Sequence, residues 1–506
     1  MVDDAGMNQR NLLWRQWRAA FQAGVVVALP IILSVDRYID DIDRSMNGRM
    51  NWDRAGRPLA DFLFSSANFG HPAVAVSPLY TLVAVAVLAL AAVVVSLCYG
   101  IRSPLWVAIG ALPLLAQPYG LQNLAYGFDA LGMAVALALA VVAAVLIHRS
   151  NHWRFQVAGT AALLMSVSLY QPAASCFIPC SGFLVIGALS GLLVSPWKTM
   201  TIARRLGNSA VAYGVSLGLY RVLNAIWFDH RLTGYAADGA RLKRIDFAGG
   251  QAFVLDAIKP WTQLVNDFGS WPVVLPSLLL LLVYGVLLAR LHSPRMLLCC
   301  LVMACMVALL SPGALLLLRD SFLHKPRVVM FFGPLLMSVV LQIIAASEQV
   351  GWKVLRAGIF PLIWLMFVFS FAFGHAFSAQ AKFERMQVSR LIGDVARLQE
   401  HGQQDRFRRV AVVGDWPRSP VLLNTARKFP LVERLIPSLM ADGWTFGISQ
   451  LALYGLPLER VDVPDLSLLN YSCDEKSVLC TGEYRLRRFD ADAVLIQLLP
   501  NGIVRR

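Results

Sequence analysis

Phe21-Gln-Ala-Gly-Val-Val-Val-Ala-Leu-Pro-Ile-Ile-Leu33 is an apolar run, and within three residues it gives way to Asp36-Arg37-Tyr-Ile-Asp-Asp-Ile-Asp-Arg44. Arg10, Arg15 and Arg18 precede the run, as in a signal peptide. No small-residue cleavage pattern follows before Asp36, so the run reads as an uncleaved first membrane span. The stretch after it carries four acids, Asp36, Asp40, Asp41 and Asp43, beside Arg37 and Arg44. Carboxylates at a membrane surface are costly unless they are solvated or in use. They form either a solvated loop or part of a working site.

The rest of the chain supports the membrane reading. Of its 506 residues 57% are hydrophobic and only 15% charged, with mean hydropathy +0.58. An ordinary soluble domain is roughly 25% charged. Further apolar runs near the ~20 residues that cross a bilayer fall at 73–99, 103–119, 129–147, 153–170, 172–195, 208–228, 270–290, 296–318, 328–347 and 353–374. The expected architecture is a polytopic α-helical membrane protein with about eleven transmembrane helices. The domain division expected is 1–375 for the membrane part and 376–506 for a small α/β domain. In that tail Arg409–Gly414 and Ala491–Leu499 read as strands, and Glu384–Arg385, Asp394–Arg397 and Gln403–Arg406 as polar helix.

With the N-terminus inside, every short inside loop is basic: Arg102; Arg149 and Arg154; Lys198, Arg204 and Arg205; Arg290 and Arg295; Lys353 and Arg356. That bias accounts for much of the +14 net charge without nucleic acid. The acidic stretch and the tail then share the outer face. Loop 117–128 reads as an interfacial aromatic belt, and 229–269 as an amphipathic helix in the interface. Loop 319–327 breaks the charge rule, with Arg319, Lys325 and Arg327 outside. Either they pair with the first-loop acids, or they hold an anion such as a lipid phosphate. Arg221, near the outer end of its span, either snorkels outward or lines the same cavity. Six cysteines lie in apolar runs. Cys473 and Cys480 lie in the polar tail, where an oxidising compartment favours a disulfide.

Glycine-rich phosphate loops, His-Glu-x-x-His, Cys-x-x-Cys and Gly-x-Ser-x-Gly are all missing. Charged residues are scarce at span centres, which disfavours an ion pathway. No internal repeat is visible, which disfavours many transporter folds. Outer-face acids can take a proton from an attacking hydroxyl, and outer-face cations can hold a departing phosphate.

Asp40-Asp41-x-x-Arg44 with Trp52 and Gly56-Arg57-Pro58 resembles the first outer loop of the membrane O-antigen glucosyltransferases of the glucosyl transferase II type. Gln117-Pro-Tyr-x-x-x-Asn-Leu-x-Tyr-x-Phe-Asp129 is similar to that family's second outer loop. Ser168-Leu-Tyr170-Gln171 and Lys325-Pro-Arg327 resemble further family segments. One departure is Gln122, where the family often has glutamate. The resemblance implies a C-type glycosyltransferase fold with a periplasmic C-terminal domain in a bacterial inner membrane. It implies inverting transfer of a hexose, glucose by family habit, from a polyprenyl phosphate (undecaprenyl in bacteria) to O-antigen or another surface polysaccharide.

On that resemblance Asp41 or Asp40 is the base, and Arg44, Arg57, Lys325 and Arg327 clamp the donor phosphate. Trp52, Tyr119, Asn123, Tyr126 and Asp129 meet sugar or acceptor. No cofactor and no metal is expected, although grouped acids also suit hard cations. The competing readings are a flippase or transporter of a polyprenyl-linked sugar, a non-catalytic assembly scaffold, and transfer of another sugar to a protein or lipid acceptor.

Overall fold

The computed structural model describes residues 2–34, 37–194, 200–227, 232, 241–244, 246–400, 406–462, 473 and 478–499. The chain divides into two compact units. The larger comprises Met1–Val35, Met50–His71 and Val76–Ala372. The smaller comprises Asp36–Arg49, Pro72–Ala75 and Phe373–Arg506. The tail boundary expected at 375/376 falls at 372/373. The acidic stretch expected within the membrane part belongs to the smaller unit instead.

The larger unit is helical. Its helices are α1 (Val2–Ser34), then, after α2 (Asp40–Asn47) in the other unit, α3 (Pro58–Ala67), α4 (Leu79–Cys98), α5 (Pro104–Ala116), α6 (Pro118–Ala125) and α7 (Ala130–Arg149). After them come α8 (Trp153–Leu169), α9 (Phe177–Leu189), α10 (Ile202–Trp227), α11 (Phe247–Phe268), α12 (Trp271–Leu291), α13 (Pro294–Leu310), α14 (Phe332–Val350) and the start of α15 (Phe360–Glu400). The packing follows the chain: α1 lies on α4 and α5, and α7 lies on α4 and α8. In lipid there is no hydrophobic drive between helices, so small side chains that let backbones approach decide the contacts. Ala84, Ala92, Ala136, Ala140, Ala143 and Ala144 are fully buried on α4 and α7.

Among the described residues seven helices are long and apolar enough to cross a bilayer, or eight if α5 and α6 form one span broken at 70°. The count of eleven is therefore not reached. The expected spans that fall short are α8 and α13, each of 17 residues, and α10, which carries Arg204, Arg205 and Arg221. The break between α5 and α6 has a local cause. Pro118 opens the new helix, and the Gln117 side chain caps it by accepting from the Tyr119 amide at 3.0 Å. Helix α11 fulfils the amphipathic expectation for 247–268, with Phe247, Leu255 and Val265 exposed.

The helical segment Lys353–Gln399 has 47 residues, roughly twice what a ~30 Å hydrocarbon core needs at ~1.5 Å rise per residue. Its apolar part ends near Phe377, and Gln380, Lys382, Glu384 and Arg385 follow. From there α15 serves the smaller unit. Val388, Leu391, Val395 and Leu398 recur at helical spacing and pack on Val410, Trp416, Leu486, Val494 and Ile496.

The sheet of that unit orders its strands β2 (Glu459–Arg460), β1 (Arg409–Val413), β5 (Ala493–Leu498), β4 (Tyr484–Asp490) and β3 (Val478–Cys480). β1 is parallel to both neighbours, whereas β3, β4 and β5 are antiparallel. The two strands read from sequence are β1 and β5. Their burial, near-complete along β5, matches a central strand. Short helices α16 (Pro420–Lys428), α17 (Leu431–Leu435) and α18 (Phe446–Leu453) complete the unit. The expected disulfide joins Cys473 to Cys480. Asp36, Lys198 and residues 401–405 lie outside the described residues, as do residues 228–231 and 233–240 of the long outer loop.

Candidate active site

The candidate residues divide between the two units. Asp40, Asp41 and Arg44 belong to the smaller, and all the others to the larger.

In the smaller unit Asp40, Asp41 and Asp43 occupy the first turn of α2, where the positive helix end favours acids. Asp41 is 3% exposed, and its carboxylate accepts the Tyr38 amide at 3.2 Å. It thus closes the turn that starts the helix. Asp40 is half-buried. Tyr38 anchors this turn, with its ring edge-on to Phe377 at 5.4 Å and its hydroxyl donating to the Leu435 carbonyl. Ile39, directly before Asp40, sits at φ 46°. A β-branched residue avoids that region, and such strain concentrates where structure serves function. Arg44 donates to the Arg49 carbonyl at 3.3 Å.

The larger unit holds a cavity of about 400 Å³. Arg57, Arg221, Lys325 and Arg327 line it together with an apolar wall that includes Val167, Leu217, Leu315 and Leu318. Arg57 arrives on a turn, 52–57, that Asp61 braces. The Asp61 carboxylate accepts the Trp52 amide at 3.2 Å and the Asp53 amide at 2.6 Å. Burial raises the Asp61 carboxyl, and those two donors pull it the other way. Gly56 closes the turn at φ 71°, and an added Cβ would press on Gln171 and Tyr220.

The Arg57 Nε donates to Gln171 Oε1 at 3.2 Å, and its guanidinium covers the Tyr170 ring at 4.6 Å. Gln171 in turn donates to the carbonyls of Ala55 and Gly56. Arg327 donates to the Tyr126 hydroxyl, and its carbonyl accepts from Asn123 at 3.3 Å and Tyr170 at 3.4 Å. Lys325 stands over the Phe322 ring at 4.8 Å. Burial first, and the Arg327 charge second, hold its ammonium below the ordinary lysine value. Phe322, which lines this cavity, itself has φ 51°. The arrangement can receive an anion against an apolar wall.

Trp52, Tyr119, Asn123, Tyr126 and Asp129 stand behind the wall. All five are at most 6% exposed. Trp52 stacks on Phe64 at 4.4 Å and donates its indole N–H to Asp129. Tyr119 stacks on Phe332 at 5.6 Å and donates to Asp267 at 2.8 Å. These residues hold others in place, and 117–128 is a buried helix and turn where an interfacial belt was expected. Arg221 lines the cavity, one of the two outcomes its position allowed. Sequence reasoning passed over Tyr220 and Asn224 of α10 as site residues. Their spacing from Tyr213 and Leu217 marks a single helix face, but nothing local distinguishes that face from a lipid-facing one.

The described residues contain no group of three metal-ligating side chains. No solved structure matches the chain. A relative from Salmonella phage P22, described as "Uncharacterized 55.3 kDa protein in gtrB 5'region", is 23% identical over 447 residues, covering 83% of this chain and 86% of the relative. The profile described as "Glucosyl transferase GtrII" matches residues 29–338, a stretch that contains every candidate residue in both units. On that match over more than half its length, the chain belongs to the GtrII glucosyl transferase family.

Proposed function

We propose that this membrane glycosyltransferase moves glucose from a polyprenyl phosphate to a surface glycan such as O-antigen, on the periplasmic face of a bacterial inner membrane. The observation that carries this reading is the cavity. It gathers Arg57, Arg221, Lys325 and Arg327, from three separate segments, against an apolar wall. A lipid phosphate has both halves of that chemistry.

In this reading an acceptor hydroxyl gives its proton to a carboxylate of the Asp40–Asp41 pair. The acceptor oxygen attacks the anomeric carbon from the face opposite the phosphate. The carbon–oxygen bond to phosphate breaks, its electron pair leaves with the polyprenyl phosphate, and the anomeric centre inverts. Arg57, Arg327 and Lys325 stabilise the growing negative charge, and Arg44 is kept as a further clamp candidate. Either carboxylate of the pair can take the proton, and the Asp41 carboxylate, which accepts the Tyr38 amide, is fixed at the head of α2. The protein's own cations neutralise the leaving group, so no divalent metal is required.

Purified chain in liposomes, supplied with polyprenyl phosphate glucose and an acceptor glycan, tests this. Asp41→Asn or Asp40→Asn, whichever removes the base, should lower turnover by about 10²–10⁴ while leaving donor binding intact. Full transfer by the Asp40→Asn, Asp41→Asn double variant would remove the base assignment. Donor crossing the bilayer without any new glycosidic bond would favour the flippase reading. Loss of activity with chelator, restored by magnesium or manganese, would overturn the metal-free step.

A further inference from the structure

Helix α10 turns one face to the cavity through Tyr213, Leu217, Tyr220, Arg221 and Asn224, a spacing of four, three, one and three. Asn224 is 3% exposed. Its Nδ2 donates to the Tyr220 carbonyl at 3.0 Å, which fixes the orientation of the carboxamide. Its Oδ1 is buried and has no partner among the described residues. A buried acceptor left without a donor costs roughly 1–3 kcal/mol, and such a group in a cavity wall points to a ligand that supplies the donor.

The position narrows the ligand. The Tyr220 hydroxyl donates to the Gly56 carbonyl at 2.7 Å and accepts from Gln171 Nε2 at 3.0 Å. Gln171 is the residue that accepts the Arg57 Nε. Asn224 therefore lies one helical turn from Tyr220, whose hydroxyl is tied to the Arg57 support. The parts of a lipid-linked sugar differ in what they offer. The phosphate offers only acceptors and suits the cations. The hydrocarbon offers neither donors nor acceptors and suits the leucines. Only the sugar hydroxyls offer uncharged donors.

We infer that Asn224 Oδ1 accepts a hydrogen bond from one hydroxyl of the donor sugar, which makes Asn224 a specificity-determining residue. This rests on the donor proposed above. It adds which part of the chain reads the sugar, as distinct from its phosphate.

The test compares wild type with Asn224→Leu, a near-isosteric change, on polyprenyl phosphate glucose and its monodeoxy forms. Sugarless polyprenyl monophosphate serves as competitor. The wild type should reject one monodeoxy donor strongly in kcat/KM. The variant should lose roughly 10–100-fold on the parent donor, yet use that one deoxy donor about as well as wild type does. Inhibition by the sugarless lipid should not change. An equal loss across the whole deoxy series, with sugarless binding intact, would reduce Asn224 to a packing role. A wild type indifferent to every deoxy donor overturns the inference whatever the variant's folding. A wild type that binds sugarless polyprenyl phosphate but shows no preference for the sugar-bearing form also overturns it, while leaving the phosphate cavity standing. If neither lipid binds, the donor reading fails and this inference fails with it.

Discussion

Arg327, a residue of the proposed clamp, is itself firmly held. Its guanidinium reaches the Tyr126 hydroxyl, and its carbonyl is gripped by Asn123 and Tyr170. Arg327→Lys keeps the charge and loses the planar fork, so donor use should fall while expression and folding persist. Arg327→Ala should raise the apparent KM for the lipid donor and lower kcat as well, because charge grows on the leaving phosphate. A titration of both variants against donor checks this, and unchanged donor dependence would sink the clamp. Glu384 supplies a pH dependence. Burial pushes its carboxyl up to about 7, against hydrogen bonds from Gln380 at 2.8 Å and the Leu439 amide at 3.4 Å. The folded state then holds its proton more tightly than the unfolded chain. Stability contributed by this group is present below the unfolded value and declines as pH rises toward 7, by about 3 kcal/mol in all. Thermal unfolding of wild type and Glu384→Gln at pH 5 and pH 8 should converge at the lower pH and favour the variant at the higher.

At the scale of elements, close helix approach and the tail's cross-link are both open to test. Gly110 on α5 faces α14, where a Cβ would collide with Leu341. Gly110→Val should overpack that contact and cost about 1–3 kcal/mol, read as a lower melting temperature in detergent; an unchanged Tm would mean the two helices have slack. The Cys473–Cys480 link closes a loop whose second cysteine lies on β3, next to β4. Alkylation without reduction should leave both thiols unlabelled, and reduction should destabilise the edge of the sheet before its centre. Proteolysis that speeds up equally at β1 and at β3 after reduction would contradict that order. The loop 52–57 depends on the Trp52 indole and on Asp61. Trp52→Phe removes the donor to Asp129 and keeps the stack on Phe64. It should weaken activity through Arg57 placement more than it weakens the fold.

For the whole molecule, the acidic first loop folds with the tail, although more than 300 residues separate Tyr38 from Phe377 and Leu435. Removing residues 376–506 should therefore deprive α2 of its packing partners and abolish transfer even with the cavity residues untouched. Retained activity in that truncation would show that the candidate base works without the smaller unit.

Much of this protein was legible from its sequence, because span hydropathy and loop charge are local quantities. Each run from 73–99 to 353–374 coincides with a helix or a helix pair, and β1 and β5 fall where alternating and apolar runs put them. Lys325 and Arg327 stood out because their loop breaks the charge rule, and Arg57 through the resemblance of Gly56-Arg57-Pro58 to a family segment. Other features are not local. Among the described residues, the helices long and apolar enough to cross number seven or eight against the eleven expected, because length and composition within each helix, and the 70° break at Gln117, decide which qualify. The burial of Trp52, Tyr119 and Tyr126 could not be read from residue types, since an aromatic at an interface and one behind a cavity wall look the same in one dimension. The choice of Asn224 over any other polar residue of α10 came from tertiary packing alone: only the fold decides which helix face meets Gly56, Gln171 and the cations.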